Sequence, residues 1–303
     1  MKRKMVISAY AKINTYLEVI GKREDGYHEL HSHMQLISLS DTLTLTTDDA
    51  QPFSLLLRCD RSEVPTGEDN LILRAAMALF ARYPMERLPR IEIDLKKSIP
   101  MQGGLAGGST DAAATLIALR DLLYPAVTDE ALCTIAATIG ADVPFCIRGR
   151  RAAQSARGIG EILESAPGLD ARLTLVLVSP GTAVSTPVAF RALDARIDAC
   201  RIQDAEERFA VMLEAVGSGD LSRIAKASFN RFEEVIFSMQ PRVGRVFAKM
   251  RACGADMTRM SGSGPTIVGY FENAEAARRC ADAFCESGFD AYLASPLSTE
   301  ADH

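Results

Sequence analysis

The sequence predicts an α+β protein of two domains, and three observations carry that expectation. The first stretch of the chain reads as β-rich, with apolar and polar residues mixed near period two over 6–19. A strand, a glycine-rich loop and an alanine-rich helix follow one another near its first third. Past residue 170 the pattern changes, to a strand–helix–strand arrangement preceded by several helices. With 303 residues the chain suits one large domain or two ordinary ones. The boundary is expected near 165, where Pro167-Gly168 interrupts residues 164–170, giving domains 1–165 and 166–303.

Taken in order, residues 6–19 read as a strand, and Glu24-Asp25-Gly26 as a turn that exploits glycine's freedom at positive φ. Residues 34–39 and 42–46 read as two further strands, the second spelling Thr-Leu-Thr-Leu-Thr. An apolar run at 53–57 lies in an otherwise loop-rich stretch. A helix is expected over 70–83, stopped by Pro84. Residues 90–96 alternate Ile91, Ile93 and Leu95 as a strand. Helices follow over 109–123 and 129–139, the latter capped by Thr128 and stopped at Gly140. The apolar run 143–147 reads as a short strand. Beyond it come a buried strand at 173–178 and several helices between 187 and 252. Strands at 256–260, 266–271 and 289–293 follow, with a helix over 274–287 between the last two. No internal repeat or low-complexity segment is visible.

Hydrophobic residues make up 48% and charged residues 24%, enough for a packed core and against disorder. No apolar run reaches the ~20 residues of a bilayer span. The basic start, Met1-Lys2-Arg3-Lys4, is followed by too short an apolar stretch for a signal peptide. A formal charge of −5 disfavours nonspecific nucleic-acid binding, so an anionic ligand must be drawn by local features. Seven cysteines (Cys59, Cys133, Cys146, Cys200, Cys253, Cys280 and Cys285), an odd number without CxxC, fit reduced thiols in a cytoplasm. His28, His31 and His33 cluster and His303 is terminal, but no partner ligands stand at metal-binding spacing. No unusual apolar face marks an oligomer interface, which leaves monomer or homodimer open.

The chemistry-bearing segment is Pro100-Met101-Gln102-Gly103-Gly104-Leu105-Ala106-Gly107-Gly108-Ser109-Thr110. Its glycines let the backbone close on a ligand and turn N–H groups toward it. The helix that follows adds unsatisfied N–H groups and a positive dipole end, which suits phosphate. A plain tight turn would not need four glycines in six residues. Gly103 and Gly108 have Walker A spacing, but Ser109 stands where that motif requires lysine, and Leu105 breaks the G-x-G-x-x-G of dinucleotide folds. Ser109 and Thr110 stand where hydroxyls can cap the helix or reach a phosphate or Mg²⁺. Asp111 in the helix's first turn is explained by capping.

That string resembles the second motif of the GHMP kinases, P-x-x-x-G-L-G-S-S-A/S, with Ala106 at a position that is often glycine. Ala9-Tyr10-Ala11-Lys12-Ile13-Asn14-Thr15-Tyr16-Leu17 resembles the first motif, and Met260-Ser261-Gly262-Ser263-Gly264-Pro265-Thr266 the third, a second glycine loop. The three are in family order and span nearly the whole chain. Four local segments resemble the branch acting on 4-diphosphocytidyl-2-C-methyl-D-erythritol. These are Gly21-Lys22-Arg23-Glu24-Asp25-Gly26-Tyr27-His28-Glu29-Leu30, Ile139-Gly140-Ala141-Asp142-Val143-Pro144-Phe145, Gly158-Ile159-Gly160-Glu161-Ile162-Leu163 and Pro180-Gly181-Thr182-Ala183-Val184-Ser185-Thr186-Pro187.

The resemblance implies an N-terminal ATP-binding domain like domain 2 of ribosomal protein S5 and a ferredoxin-like C-terminal domain. It implies ATP and Mg²⁺ as cofactors and a cytidine diphosphate derivative as the small-molecule partner, phosphorylated on its 2-hydroxyl in the non-mevalonate route to isoprenoid precursors. Nucleic acid and membrane are not expected as partners, and the location is cytoplasmic. Asp142 is implied as the base, although a turn aspartate satisfied by backbone N–H groups would look the same. Lys12 is the second catalytic candidate. In a strand it shares a face with Asn14, and beside Asp142 it would hold that carboxylate ionised and stabilise the transferring phosphate. Lys12 could equally be a snorkelling strand residue. Asn14 is a substrate-positioning candidate. Tyr27, His28, Thr186 and Phe190 are expected at the cytidine, where aromatic faces stack on a flat base. Phe190 could instead be core. Ser261, Gly262, Ser263 and Gly264 are expected near the ligand's phosphates.

Overall fold

The computed structural model describes residues 1–148, 153–194 and 204–298; Cys200 and His303 lie outside them. By contact the chain forms two compact units that do not follow a single cut. The first holds Met1–Ala11, Ser40–Met101 and Ala106–Arg150. The second holds Lys12–Leu39, Gln102–Leu105 and Arg151–His303.

Two long strands, β1 (Lys2–Lys22) and β2 (His28–Asp48), contribute to both units. β2 runs unbroken where the sequence suggests two strands. Ser38, Ser40 and Asp41 look like a turn, but the Ser38 N–H donates to Ser295 O at 2.9 Å and Ile37 bridges Pro296, so the chain stays extended.

In the first unit β3 (Ser54–Cys59) pairs parallel with β4 (Arg90–Lys96), and β4 pairs antiparallel with the far half of β2. Ile91, Ile93 and Leu95 of β4 are buried while their neighbours are not, the period-two pattern of a one-sided strand. Helix α1 (Leu71–Arg82) starts at Asn70, whose side chain accepts from the Ile72 N–H. Helix α2 (Gly107–Leu123) is buried on nearly every side, which its run of alanines permits. Helix α3 (Asp129–Ala137) is capped by Thr128, which accepts from the Ala131 N–H at 3.3 Å.

Residues 143–147, expected as a strand, belong instead to helix α4 (Val143–Arg148). A short apolar run carries no period that separates buried strand from buried helix. Pro144, lacking an N–H, sits in the helix's first turn, where no intrahelical donor is required.

In the second unit a hairpin, β5 (Ala153–Arg157) and β6 (Ile162–Ser165), pairs through β5 with the near half of β2. Four strands, β7 (Thr174–Ser179), β9 (Met257–Met260), β10 (Ile267–Phe271) and β11 (Asp290–Ala294), form an antiparallel sheet in the order β11–β7–β10–β9, the ferredoxin-like arrangement. Helices α9 (Pro241–Ala252) and α10 (Ala274–Cys285) cover it, burying Val243, Val246, Met250, Ala277 and Phe284 against Val176, Val178 and Ile267. Between β7 and α9 lie α5 (Thr186–Asp194), α6 (Ala205–Ser218), α7 (Leu221–Ala227), the two-residue β8 (Phe229–Asn230) and α8 (Phe232–Met239). Among the described residues no helix is long and apolar enough to cross a membrane.

Candidate active site

In the second unit, residues from all three expected motifs meet around one lysine. Lys12 of β1 is 4% exposed, and its ammonium donates to Asn14 Oδ1 at 2.7 Å. Asn14 Nδ2 in turn donates to Ser32 Oγ at 2.8 Å, and Ser32 Oγ to Tyr16 O at 2.9 Å. The chain aligns both side chains on one face because β1 places residues i and i+2 together. A buried ammonium must be held by oxygen, and Asn14 supplies it.

The Lys12 backbone N–H donates to Leu105 O at 3.1 Å, which ties the first glycine loop to β1. The second glycine loop closes on the first. Ser261 Oγ donates to Gly104 O at 2.8 Å, and the Thr266 N–H donates to Gly103 O at 3.3 Å. A Cβ on Gly104 (φ +74) would stand 2.2 Å from Ser261 O, closer than any side chain tolerates. Gly262, also at positive φ, packs against the Gly104 carbonyl, and a Cβ there would meet Asn14 Oδ1 at 3.6 Å. Asn230 of β8 anchors the second loop from behind, donating to Met260 O at 2.7 Å and Gly262 O at 2.9 Å. Sequence reasoning missed Asn230, which stands in no motif. Gly264 precedes Pro265 in a cis peptide.

The loop's other residues belong to the first unit: Pro100, Met101 and Ala106 onward. Helix α2 begins at Gly107, so Ser109 and Thr110 lie inside its first turns, not at the cap. The N-cap, Ala106, has φ 58 and makes no side-chain capping bond. The first N–H groups of α2 are thus without a side-chain cap, the condition under which a helix start accepts an anion. An uncapped helix start of this kind fits a phosphate group. Asp142 precedes α4 in the same unit, half-buried, and its carbonyl accepts from the Cys146 N–H at 3.2 Å.

Of the residues expected at the cytidine, Thr186 and Phe190 lie in α5 and His28 stacks on Phe190. Thr186, Phe190 and Asp194 follow at intervals of four, one stripe of that helix. The Phe190 ring stacks on His28, with centroids 4.6 Å apart and planes at 23°, and meets Phe232 edge-on at 4.9 Å. Phe190 thus packs against both the core ring Phe232 and the His28 imidazole. His28 Nε2 lies 2.5 Å from Asp194 Oδ1, and Lys22 pairs with Asp194 Oδ2 at 2.6 Å. Both interactions hold the Asp194 carboxyl below the usual carboxylate range, the lysine hydrogen bond most. Asp194 was not legible in the sequence; its signal is the spacing of four from Phe190. Tyr27, 60% exposed, lies in the turn before β2 with its N–H donating to Asp25 Oδ1 at 3.1 Å. Thr186 Oγ1 is 2.9 Å from Ser263 Oγ, which joins α5 to the second glycine loop. The β5–β6 turn grips the same corner. The Leu30 N–H donates to Gly158 O at 2.7 Å, and the Gly158 N–H to Glu29 Oε1 at 3.1 Å.

Sequence reasoning also missed Lys97 and Asp41. Lys97, the residue after β4, is 8% exposed and pairs with Asp41 and with Asp111, the latter at 2.7 Å. Both carboxylates raise its pKa above the ordinary lysine value, against the opposing pull of burial.

Comparison with known proteins adds the relatives. The family model for the N-terminal domain of GHMP kinases matches residues 70–150, and that for the GHMP kinase C-terminal domain matches residues 212–290. A protein of Clostridium novyi (strain NT) named 4-diphosphocytidyl-2-C-methyl-D-erythritol kinase is 37% identical over 289 residues, 95% of this chain and 99% of that one. A protein of Moorella thermoacetica with the same name is 39% identical over 93% of this chain and 95% of its own. A crystal structure of 4-(cytidine 5'-diphospho)-2C-methyl-D-erythritol kinase superposes with a TM-score of 0.76 at 34% identity, covering 96% of this chain and 99% of that one.

Proposed function

Because the chain belongs to the GHMP kinases, we propose that it transfers the γ-phosphoryl group of ATP to the 2-hydroxyl of 4-diphosphocytidyl-2-C-methyl-D-erythritol, giving the 2-phosphate and ADP. The observation that carries this reading is the end-to-end match, at 37% identity, to a relative bearing that activity in its name. The packing of Lys12, Gly104 and Ser261–Gly262 in the second unit supports it, since phosphoryl transfer is chiefly positioning and charge neutralisation.

In this reading Asp142 accepts the proton of the 2-hydroxyl. The hydroxyl oxygen bonds the γ-phosphorus as the bond to the β-phosphate oxygen breaks, and ADP leaves. Lys12, held by Asn14, neutralises charge that builds on the phosphoryl oxygens. Backbone N–H groups of residues 103–108 and the start of α2 take the nucleotide's phosphates. Mg²⁺, if bound, would be held by the hydroxyls of Ser109 and Thr110 and would supply positive charge to the nucleotide's phosphates. Tyr27, His28 and Phe190 supply the aromatic corner for cytosine, with Thr186 beside it. Ser261, Gly262, Ser263 and Gly264 back the phosphate loop. Residues 1–165 are the proposed ATP-binding domain and 166–303 the second domain, acting in the cytoplasm as monomer or homodimer.

The test is ADP release by the purified protein with Mg-ATP and the cytidine substrate. Turnover is expected with this acceptor. Turnover with mevalonate or homoserine and none with this acceptor would move the chain to another branch of the family.

A further inference from the structure

Resting on the kinase reading above, we propose that Asp194 is a positioning residue for the pyrimidine. Braced by Lys22, it fixes His28 with its hydrogen on Nε2, so that Nδ1 accepts from the amino group of cytosine.

The three side chains come from three places in the second unit. Lys22 ends β1, His28 begins β2 and Asp194 ends α5. A hairpin corner and a helix end therefore meet here. Each Asp194 oxygen has its own partner. Oδ1 lies 2.5 Å from His28 Nε2, and Oδ2 takes the Lys22 ammonium at 2.6 Å. A carboxylate held at both oxygens keeps one orientation toward the imidazole.

The position of the imidazole hydrogen follows from that partner. The Lys22 hydrogen bond, and after it that of His28, holds the Asp194 carboxyl below the usual carboxylate range. An ionised carboxylate only accepts, so Nε2 carries the hydrogen. In the neutral ring Nδ1 is then the bare nitrogen, an acceptor. Among the described residues Nδ1 has no hydrogen-bond partner, and it is not sealed from solvent. The neighbouring histidines differ. His33 spends both ring nitrogens on Thr15 and Pro167 O, and His31 Nδ1 is closed off from solvent. Of the three clustered histidines, His28 is the one built to present a nitrogen.

Phe190 sets the plane in which it is presented. Four residues before Asp194 on α5, it stacks on the imidazole at 4.6 Å with planes 23° apart, and Phe232 backs it edge-on. A donor reaches Nδ1 in the plane of the imidazole. A flat base bonded there runs near parallel to the Phe190 ring, an arrangement that aromatic rings favour. One helix thus supplies both the stacking ring and the carboxylate that sets the imidazole's polarity. Cytosine carries an amino donor where uracil carries a carbonyl acceptor. An accepting Nδ1 attracts the first and repels the second, and an Nδ1–H would do the reverse. Asp194 therefore decides which pyrimidine this corner takes.

The experiment measures kcat and KM of the full-length protein for the cytidine substrate and for its uridine analogue. The KM for ATP and thermal unfolding are recorded alongside. Asp194→Asn keeps the size of the side chain but lets its amide donate to Nε2, which releases the ring to carry its hydrogen on Nδ1. It should raise the KM for the cytidine substrate by roughly 5- to 100-fold, the worth of one unmade hydrogen bond, and change kcat and the KM for ATP far less. The preference for cytidine over uridine, as a ratio of kcat/KM, should fall by about tenfold or more. Nitrogen NMR well above the ordinary imidazole pKa should show the Nε2–H tautomer for the ring that His28→Gln removes, and a mixture in Asp194→Asn. Lys22→Met, at a half-exposed side chain, should move the same ratio the same way by about two- to fivefold, and it serves where Asp194→Asn folds poorly. A wild-type KM and an unchanged cytidine-to-uridine ratio in folded Asp194→Asn would overturn the proposal and leave the kinase reading standing. An equal loss for both pyrimidines would make Asp194 merely structural and overturn the proposal too. A wild type that turns over neither pyrimidine would overturn the kinase reading, and this proposal with it.

Discussion

Replacing Gly104 by alanine tests the packing of one glycine loop on the other. Two costs follow from the geometry. Gly104 has φ +74, and a residue with a Cβ loses roughly 1–2 kcal/mol there. The new methyl would also stand 2.2 Å from Ser261 O and 3.1 Å from Gly264 O, both backbone atoms that cannot swing aside. Relief requires the loops to part. That gives up the Ser261 Oγ bond to Gly104 O and strains the Thr266 N–H bond to Gly103 O, at about 1 kcal/mol each. The sum is about 3–4 kcal/mol. Gly219→Ala supplies the control. Gly219 ends α6 at φ +68 with nothing within 4 Å of the added methyl, so it bears the conformational cost alone. For a domain of this size each kcal/mol moves the unfolding temperature by roughly 2–4 °C. Gly104→Ala should therefore lower it by roughly 6–16 °C and Gly219→Ala by roughly 2–8 °C. ADP release by the Gly104 variant should fall as well, with the KM for ATP raised. Equal thermal shifts for the two variants would refute the clash, and with it the mutual support of the two loops.

Asp142→Asn should keep the wild-type unfolding temperature and lower kcat by about 10²–10⁴, the usual worth of a general base; an unchanged kcat removes Asp142 from that role. Tyr27→Ala, at an exposed position, should leave stability unchanged and raise the KM for the cytidine substrate by roughly 5- to 150-fold, the worth of one stacked base. A KM within twofold of wild type would take Tyr27 out of the site. Buried His33, joined to Thr15 and to Pro167 O, has its pKa lowered by desolvation to about 4 from 6.5. Its unfolded form takes up the proton first, so stability should be full above pH 6.5 and fall by up to about 3 kcal/mol as pH drops to 4. Denaturant midpoints of wild type and His33→Gln across that range should converge, and parallel curves would contradict the assignment.

The sequence on its own determined whatever rests on neighbours within a few residues. The strand at 90–96 shows in its alternation and is found with those bounds as β4. Thr128 marks the cap of α3, and the helix from 274 appears as α10. The glycine loop stands out in the sequence by its four residues without a Cβ within six. The tertiary structure alone decided what depends on distant partners. A five-residue apolar run around Pro144 became helix α4, since its periodicity is undefined at that length. Ser38 and Asp41 stayed extended because partners far along the chain claimed their polar groups. Asp41 and Lys97, 56 residues apart, and His28 and Asp194, 166 apart, carry no mutual signal in the sequence. For Asp41 and Lys97 burial makes the pair necessary, because a charge removed from water must find its counterpart wherever the fold brings it.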